Sequence, residues 1–216
     1  PVSIPSGRTV HYRVVKMRGS FQVSSDIHSF EMPDELTIVN FGDSYASGEG
    51  APYQVQNFPV GGDQDGLWDN KTCNRSNNSG QARAVRTMQV ENPTLAIWFM
   101  NVACSGAETD EGILEPQLKH SWPLESDVAA PRVQPQVDQV EARLRTRGYE
   151  QLNIAMISGG GNDVGFGDVV VGYLILPGEF RLSDTAAQNL MSDIDAIVPV
   201  AYRNLKDEFD RRFDYD

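Results

Sequence analysis

The stretch Leu36-Thr37-Ile38-Val39-Asn40-Phe41, followed at once by Gly42-Asp43-Ser44, decides how this chain is read. Its first six residues form a short apolar run with a β-branched centre, the pattern of a strand buried on both faces. Working outward, the same pattern returns at residues 95–102 and again at residues 152–157. Residues 81–90 carry helix formers, with Ala84, Val85 and Met88 apolar, and end near Pro93. Residues 133–144 set Val133, Val137, Val140 and Leu144 at helical spacing, with Gly148 as the stop. Residues 184–213 read as one long helix, or as two with a break at Pro199. Buried strands alternating with amphipathic helices predict an α/β domain: a parallel sheet covered on both faces.

In such a sheet the ligand crevice lies outside the carboxyl ends of the strands. A cluster of small residues sits at each of those ends: Gly42-Asp43-Ser44, then Ser105-Gly106-Ala107, then Gly161-Asn162-Asp163. Ser44 offers a hydroxyl after a glycine that permits a tight turn. Gly106 offers an N–H that no side chain shields. Asn162 offers a carboxamide donor. One hydroxyl and two donors aimed at one point suit acyl transfer, in which the serine attacks a carbonyl carbon and the donors hold the oxygen as it gains charge.

The bulk properties narrow the field. The chain has 216 residues, 40% of them hydrophobic, enough for one ordinary domain. We assign residues 35–216 to that domain and residues 1–34 to an N-terminal extension or the tail of a preceding domain. Within the latter, residues 11–17 partly alternate and are predicted as a strand. The formal net charge of −12 excludes nucleic acid as an expected partner, because phosphate backbones would be repelled. No apolar run reaches membrane-spanning length. The glycines of residues 159–167 match neither a phosphate loop nor a dinucleotide fingerprint, so no cofactor is expected. Cys73 and Cys104 fit no zinc pattern. On their own they allow either a disulfide or two buried free thiols.

Residues 51–79 read as a long polar loop, and long ordered loops are usually functional or pinned. Tyr53, Phe58 and Trp68 either line an acyl or sugar pocket or pack that loop. Asp63, Asp65 and Asp69 lack the spacing of a calcium loop and read as a solvated acidic stretch. Asn70, Asn74 and Asn77 each open a glycosylation-type tripeptide.

Taken together, four blocks resemble the secreted lipase and esterase branch of the SGNH, or GDSL-type, serine hydrolases. They are Phe41-Gly42-Asp43-Ser44-Tyr45-Ala46-Ser47-Gly48-Glu49-Gly50, Cys73-Asn74-Arg75-Ser76, Ala103-Cys104-Ser105-Gly106-Ala107 and Gly160-Gly161-Asn162-Asp163-Val164-Gly165-Phe166. The resemblance implies a three-layer α/β/α, flavodoxin-like parallel sheet. It implies that Ser44 is the nucleophile and that the oxyanion hole comes from the N–H groups of Ser44 and Gly106 and the side chain of Asn162. Asp43 and Asp163 would brace the loops. It further implies a disulfide between Cys73 and Cys104, a secreted or extracytoplasmic location, and a small-molecule, lipid or carbohydrate ester as substrate, with no metal or cofactor.

One block of that family is missing. Its histidine base sits in an Asp-x-x-His sequence, and no such sequence occurs here. The three histidines, His11, His28 and His120, each read as ordinary surface residues. The domain is therefore expected to be incomplete at its C-terminal end. The catalytic histidine would lie beyond Asp216 or on a separate chain that completes the sheet. The alternatives are a non-catalytic binding module on the same scaffold, or an acyltransferase that shares the first half-reaction.

Overall fold

A computed structural model describes residues 9–18, 21–31, 35–51, 68–118, 132–148, 151–167, 169, 172 and 181–213. The chain opens with four short strands: β1 (Thr9–Tyr12), β2 (Val15–Arg18), β3 (Phe21–Ser24) and β4 (His28–Glu31). β1 pairs antiparallel with β4, and β2 with β3. The single strand expected at residues 11–17 is thus two. The break falls at Arg13-Val14, where Val14 N donates to Ser25 Oγ at 2.9 Å and Ser25 N donates back to Val14 O at 2.9 Å. Val14, Met17, Val23 and Ile27 are exposed.

The main sheet begins with β5 (Glu35–Gly42). Then come α1 (Ser44–Ser47), a 3₁₀ turn (Lys71–Cys73), α2 (Gly80–Glu91) and β6 (Ala96–Asn101). β7 (Gln117–Leu118) and β8 (Arg132–Val133) make a short antiparallel pair. α3 (Gln136–Arg147), β9 (Ile154–Ser158), a second 3₁₀ turn (Asn162–Val164) and α4 (Asp184–Arg212) complete the described elements. β5, β6 and β9 form a three-stranded parallel sheet in the order β6-β5-β9. β5 is central and its residues 37–42 are all buried, which is why it carries the most continuous apolar run. β6 is more open than the buried strand expected of it, and it stands at an edge of the sheet among the described residues.

The order has a consequence for function. From β5 the chain crosses to β6 on one side, then returns over β5 to β9 on the other. Strand order therefore reverses between β5 and β9, the point where a parallel sheet leaves a crevice at its carboxyl end.

One core lies on the face of β5 that carries Val39 and Phe41. Val137, Val140 and Leu144 of α3 pack there, with Leu205 and Phe209 of α4 and the following Phe213. The Phe41 and Phe209 rings meet edge to face, 4.8 Å between centroids. Burying a side chain such as Phe41 is worth about 1.5–3 kcal/mol. α3 starts at Gln136, three residues later than its apolar spacing suggests. Pro135 explains the shift: the residue before a proline is pushed out of the helical region, so Gln134 stays outside the helix and Val133 joins β8. Gly148 ends α3 in the left-handed conformation, as expected. α4 runs unbroken through Pro199. The buried row Ala201, Leu205 and Phe209, spaced four apart, holds the second half of that helix on the core. Packing there outweighs the lost backbone hydrogen bond, about 3 kcal/mol.

Candidate functional site

β5 ends at Gly42, whose φ is +132°. A side chain there would run into the carbonyl of Ser158, so only glycine lets the ends of β5 and β9 approach so closely. The same residue is gripped by the buried side chain of Gln136. Gly42 N donates to Gln136 Oε1 at 2.8 Å, and Gln136 Nε2 donates to Gly42 O at 2.9 Å. Cys104 N also donates to Gly42 O, at 2.9 Å, and Asp43 N donates to Ser158 O at 3.1 Å. The end of β5 is thereby tied to the residues after β6 and to the end of β9.

From this anchor the chain turns into α1, a single helical turn that starts with Ser44. Asp43 caps it: the carboxylate accepts from Tyr45 N at 3.0 Å. Asn40, fully buried in β5, donates from Nδ2 to Ala46 O at 2.8 Å and so seats the turn on the sheet. Ser44 is partly exposed, and neither its hydroxyl nor its N–H is taken by another described residue. Burial pushes the Asp43 carboxyl above the usual aspartate range. N–H groups of Tyr45, Ala46 and Asp43 itself pull it back, and the negative charge of Asp163 adds to the upward push.

The second strand end is held by a disulfide. Cys73 and Cys104 are bonded, with their Cα atoms 4.2 Å apart. Ser105 N donates to Cys73 O at 3.0 Å. Arg75, also buried, donates from Nε to Ala103 O and from Nη2 to Val102 O, each at 2.8 Å. Burial, helped by the charge of Arg143 and opposed by Asp69, lowers this guanidinium to about 10, so it stays charged at neutral pH. Residues 104–107 then form a tight turn closed by Ala107 N donating to Cys104 O at 3.1 Å. Gly106 is its third residue, with φ +79°. It is exposed, and no described group accepts from its N–H. Glu49 braces this turn, accepting from Ser105 Oγ at 2.5 Å and from Asn74 Nδ2 at 3.1 Å.

The third strand end supplies Asn162, the first residue of its 3₁₀ turn. Its Nδ2 donates to Ala107 O at 2.8 Å, which leaves the second Nδ2 hydrogen uncommitted. Asp163 accepts from Thr109 N at 3.1 Å, and from Thr109 Oγ1. Asn162 is thus brought against the Gly106 turn. Ser44 follows Gly42 and Asp43, which are bonded to Cys104 and Ser158.

The histidines fall elsewhere or outside view. His11 and His28 are exposed on β1 and β4, the latter with its ring 5.6 Å from that of Tyr12. His120 lies outside the described residues, as do Tyr53, Phe58, Asp63 and Asp65. Asp69 is engaged locally, accepting from Asn77 N at 2.7 Å. No described helix is long and apolar enough to cross a membrane.

Sequence reasoning did not single out Asn40, Glu49, Thr109, Gln117 or Gln136, although each fixes part of the cluster. Only Asn40 carried a signal, a carboxamide inside an apolar strand. The others stand in polar stretches where a solvated side chain is the ordinary reading.

No protein-family model matches this chain, and no curated protein matches it. Among solved structures, the chain is similar to an extracellular lipase from Streptomyces rimosus. The TM-score is 0.44 at 24% identity, over 82% of this chain and 56% of the lipase chain. This chain therefore spans a little over half the length of that protein.

Proposed function

We propose that this chain carries the serine half of an SGNH-type ester hydrolase site, on a three-layer α/β/α sheet of flavodoxin-like order with residues 35–216 as its domain. Ser44 is the nucleophile. Its own N–H, the N–H of Gly106 and the uncommitted Nδ2 hydrogen of Asn162 receive the negative charge of the tetrahedral intermediate. The observation that supports this reading is the bond from Asn162 Nδ2 to Ala107 O. It joins the second and third strand ends, while Gly42 joins the first to both. Three donors uncommitted among the described residues, beside an uncommitted serine hydroxyl at a strand-order reversal, fit acyl transfer better than any other chemistry.

A serine hydroxyl needs a base. A histidine would fill that role; His11 and His28 stand exposed on β1 and β4, and His120 lies outside the described residues. β9 pairs on one side only among the described residues. Beside it, Ala155, Ile157, Tyr202, Leu205, Lys206, Phe209 and Asp210 line a groove of about 210 Å³. The substrate class is a lipid- or carbohydrate-linked ester, and the disulfide suits an oxidising, extracytoplasmic setting.

The test is turnover of short p-nitrophenyl esters together with labelling by a fluorophosphonate, in the intact protein and in its Ser44→Ala variant. Hydrolysis and stoichiometric labelling at Ser44, both lost in the variant, are expected. Full activity in Ser44→Ala would rule the reading out. A folded protein that never labels, even when extended to include an Asp-x-x-His, would instead make this a binding module. Acyl transfer to an added alcohol in preference to water would make it a transferase.

A further inference from the structure

We infer that Gln117 is a positioning residue, which sets the direction in which the Gly106 N–H points. This rests on the reading of Ser44, Gly106 and Asn162 as an acyl-transfer site. The turn at residues 104–107 has its third residue, Gly106, at φ +79°, the signature of a type II turn. In such a turn the middle peptide, here Ser105–Gly106, can rotate and convert it to type I, reversing where its C=O and N–H point. With glycine at the third position that rotation meets little steric resistance.

Something must hold the peptide, and Gln117 is placed to do so. Its Nε2 donates to Ser105 O at 2.8 Å. The acceptor is a carbonyl, so the amide must present its NH₂ there. In a trans peptide the C=O and the following N–H point opposite ways. Fixing Ser105 O toward Gln117 therefore fixes Gly106 N–H on the other side, where no described group accepts from it. Gln117 is itself buried, and its Oε1 has no hydrogen-bond partner among the described residues. Leaving a buried acceptor unmet is costly, and a Cβ at Gly112 would crowd it further, standing 3.2 Å from Oε1. A side chain chosen for packing alone would not carry that oxygen. Glu49, on Ser105 Oγ, holds the same residue by its side chain but leaves the peptide free to rotate.

The experiment compares Gln117→Met, which keeps length and removes the donor, with Gln117→Glu, Ser44→Ala and the wild type. Two readouts are taken on each. The first is kcat and KM on a short p-nitrophenyl ester. The second is the NMR contact pattern at residues 105 and 106, with a strong Ser105 Hα to Gly106 HN contact for type II and a strong HN to HN contact for type I. In Gln117→Met the type I contact should grow, and kcat should fall about 10–100-fold with KM little changed, as for partial loss of an oxyanion donor. In Gln117→Glu the type II pattern should return at low pH, where the protonated carboxyl can donate. It should fade as pH rises and the carboxylate repels Ser105 O. A packing role would show no such pH dependence. A Gln117→Met protein that keeps the wild-type contact pattern overturns the inference, whatever its activity. So does a flipped turn with unchanged kcat in a protein that Ser44→Ala inactivates. If Ser44→Ala is without effect, the reading of the site fails on its own, and the contact pattern still decides whether Gln117 holds the turn.

Discussion

Gly42 and Ser158 approach so closely at the ends of β5 and β9 that a Cβ on Gly42 would stand 1.8 Å from Ser158 O. The backbone of Gly42 also sits at φ +132°, which L side chains rarely adopt.

Gly42→Ala should therefore cost strain and overlap together, about 2–5 kcal/mol of stability. Gly148 separates the two effects. It too has a positive φ, but a Cβ there meets nothing within 4 Å, so Gly148→Ala should cost only about 1–2 kcal/mol. Urea midpoints of the two variants check this. Equal losses would mean that β5 and β9 do not meet as described.

The disulfide closes a separation of 31 residues. In the chain-entropy picture, replacing both Cys73 and Cys104 by alanine should lower stability by about 3–4 kcal/mol. On the proposed function, esterase turnover should fall as well, because Ser105 N rests on Cys73 O. Urea denaturation with and without reductant, read beside ester hydrolysis, tests both.

Asp43 sets a pH dependence whose sign is opposite to that of a salt-bridged carboxylate. Its folded-state carboxyl is pushed up, chiefly by burial. Between the ordinary aspartate pKa and that raised value, the folded state holds more proton than the unfolded chain. Its contribution to stability therefore falls as pH rises through this window. Asp43→Asn keeps a good helix cap and removes the titration. The variant should lose this downward slope and be at least as stable as the wild type at pH 7. Denaturation midpoints taken at intervals from pH 4 to 7 measure it. A steeper fall with rising pH in Asp43→Asn would contradict the assignment.

Asn162→Ala removes a donor and the bond to Ala107 O. On the proposed function, kcat on a short ester should fall about 10²–10³-fold with KM nearly unchanged. Loss of the single hydrogen bond should cost stability only about 1 kcal/mol. A large rise in KM at constant kcat would assign Asn162 to substrate binding instead.

Much of this architecture was legible before any coordinates. The runs around Ile38, Phe99 and Ala155 are strands of one parallel sheet, but only the first is buried as expected and the other two are half-buried, and three small-residue clusters follow them at the ends where crevices form. Boundaries were less legible. Val133 kept helical spacing yet went to β8, because Pro135 constrains its neighbour. Pro199 looked like a break, yet the row through Ala201, Leu205 and Phe209 carried the helix past it. At the N-terminus, alternation across residues 11–17 concealed a break, because hydrogen bonding between Val14 and Ser25 joins segments that local pattern does not connect.

What the sequence alone determined is the local part: strand and helix type, the glycine-permitted turns, and which residue types stand at each strand end. These depend on periodicity and side-chain chemistry within a few positions. What only the tertiary structure decided is which distant polar groups meet. Gln136 closes on Gly42, Gln117 on Ser105, Thr109 on Asp163 and Arg75 on the carbonyls of Val102 and Ala103. Each is a polar residue whose partner is a backbone or carboxylate group far along the chain. A sequence pattern records neither that partner nor the burial that makes the pairing obligatory.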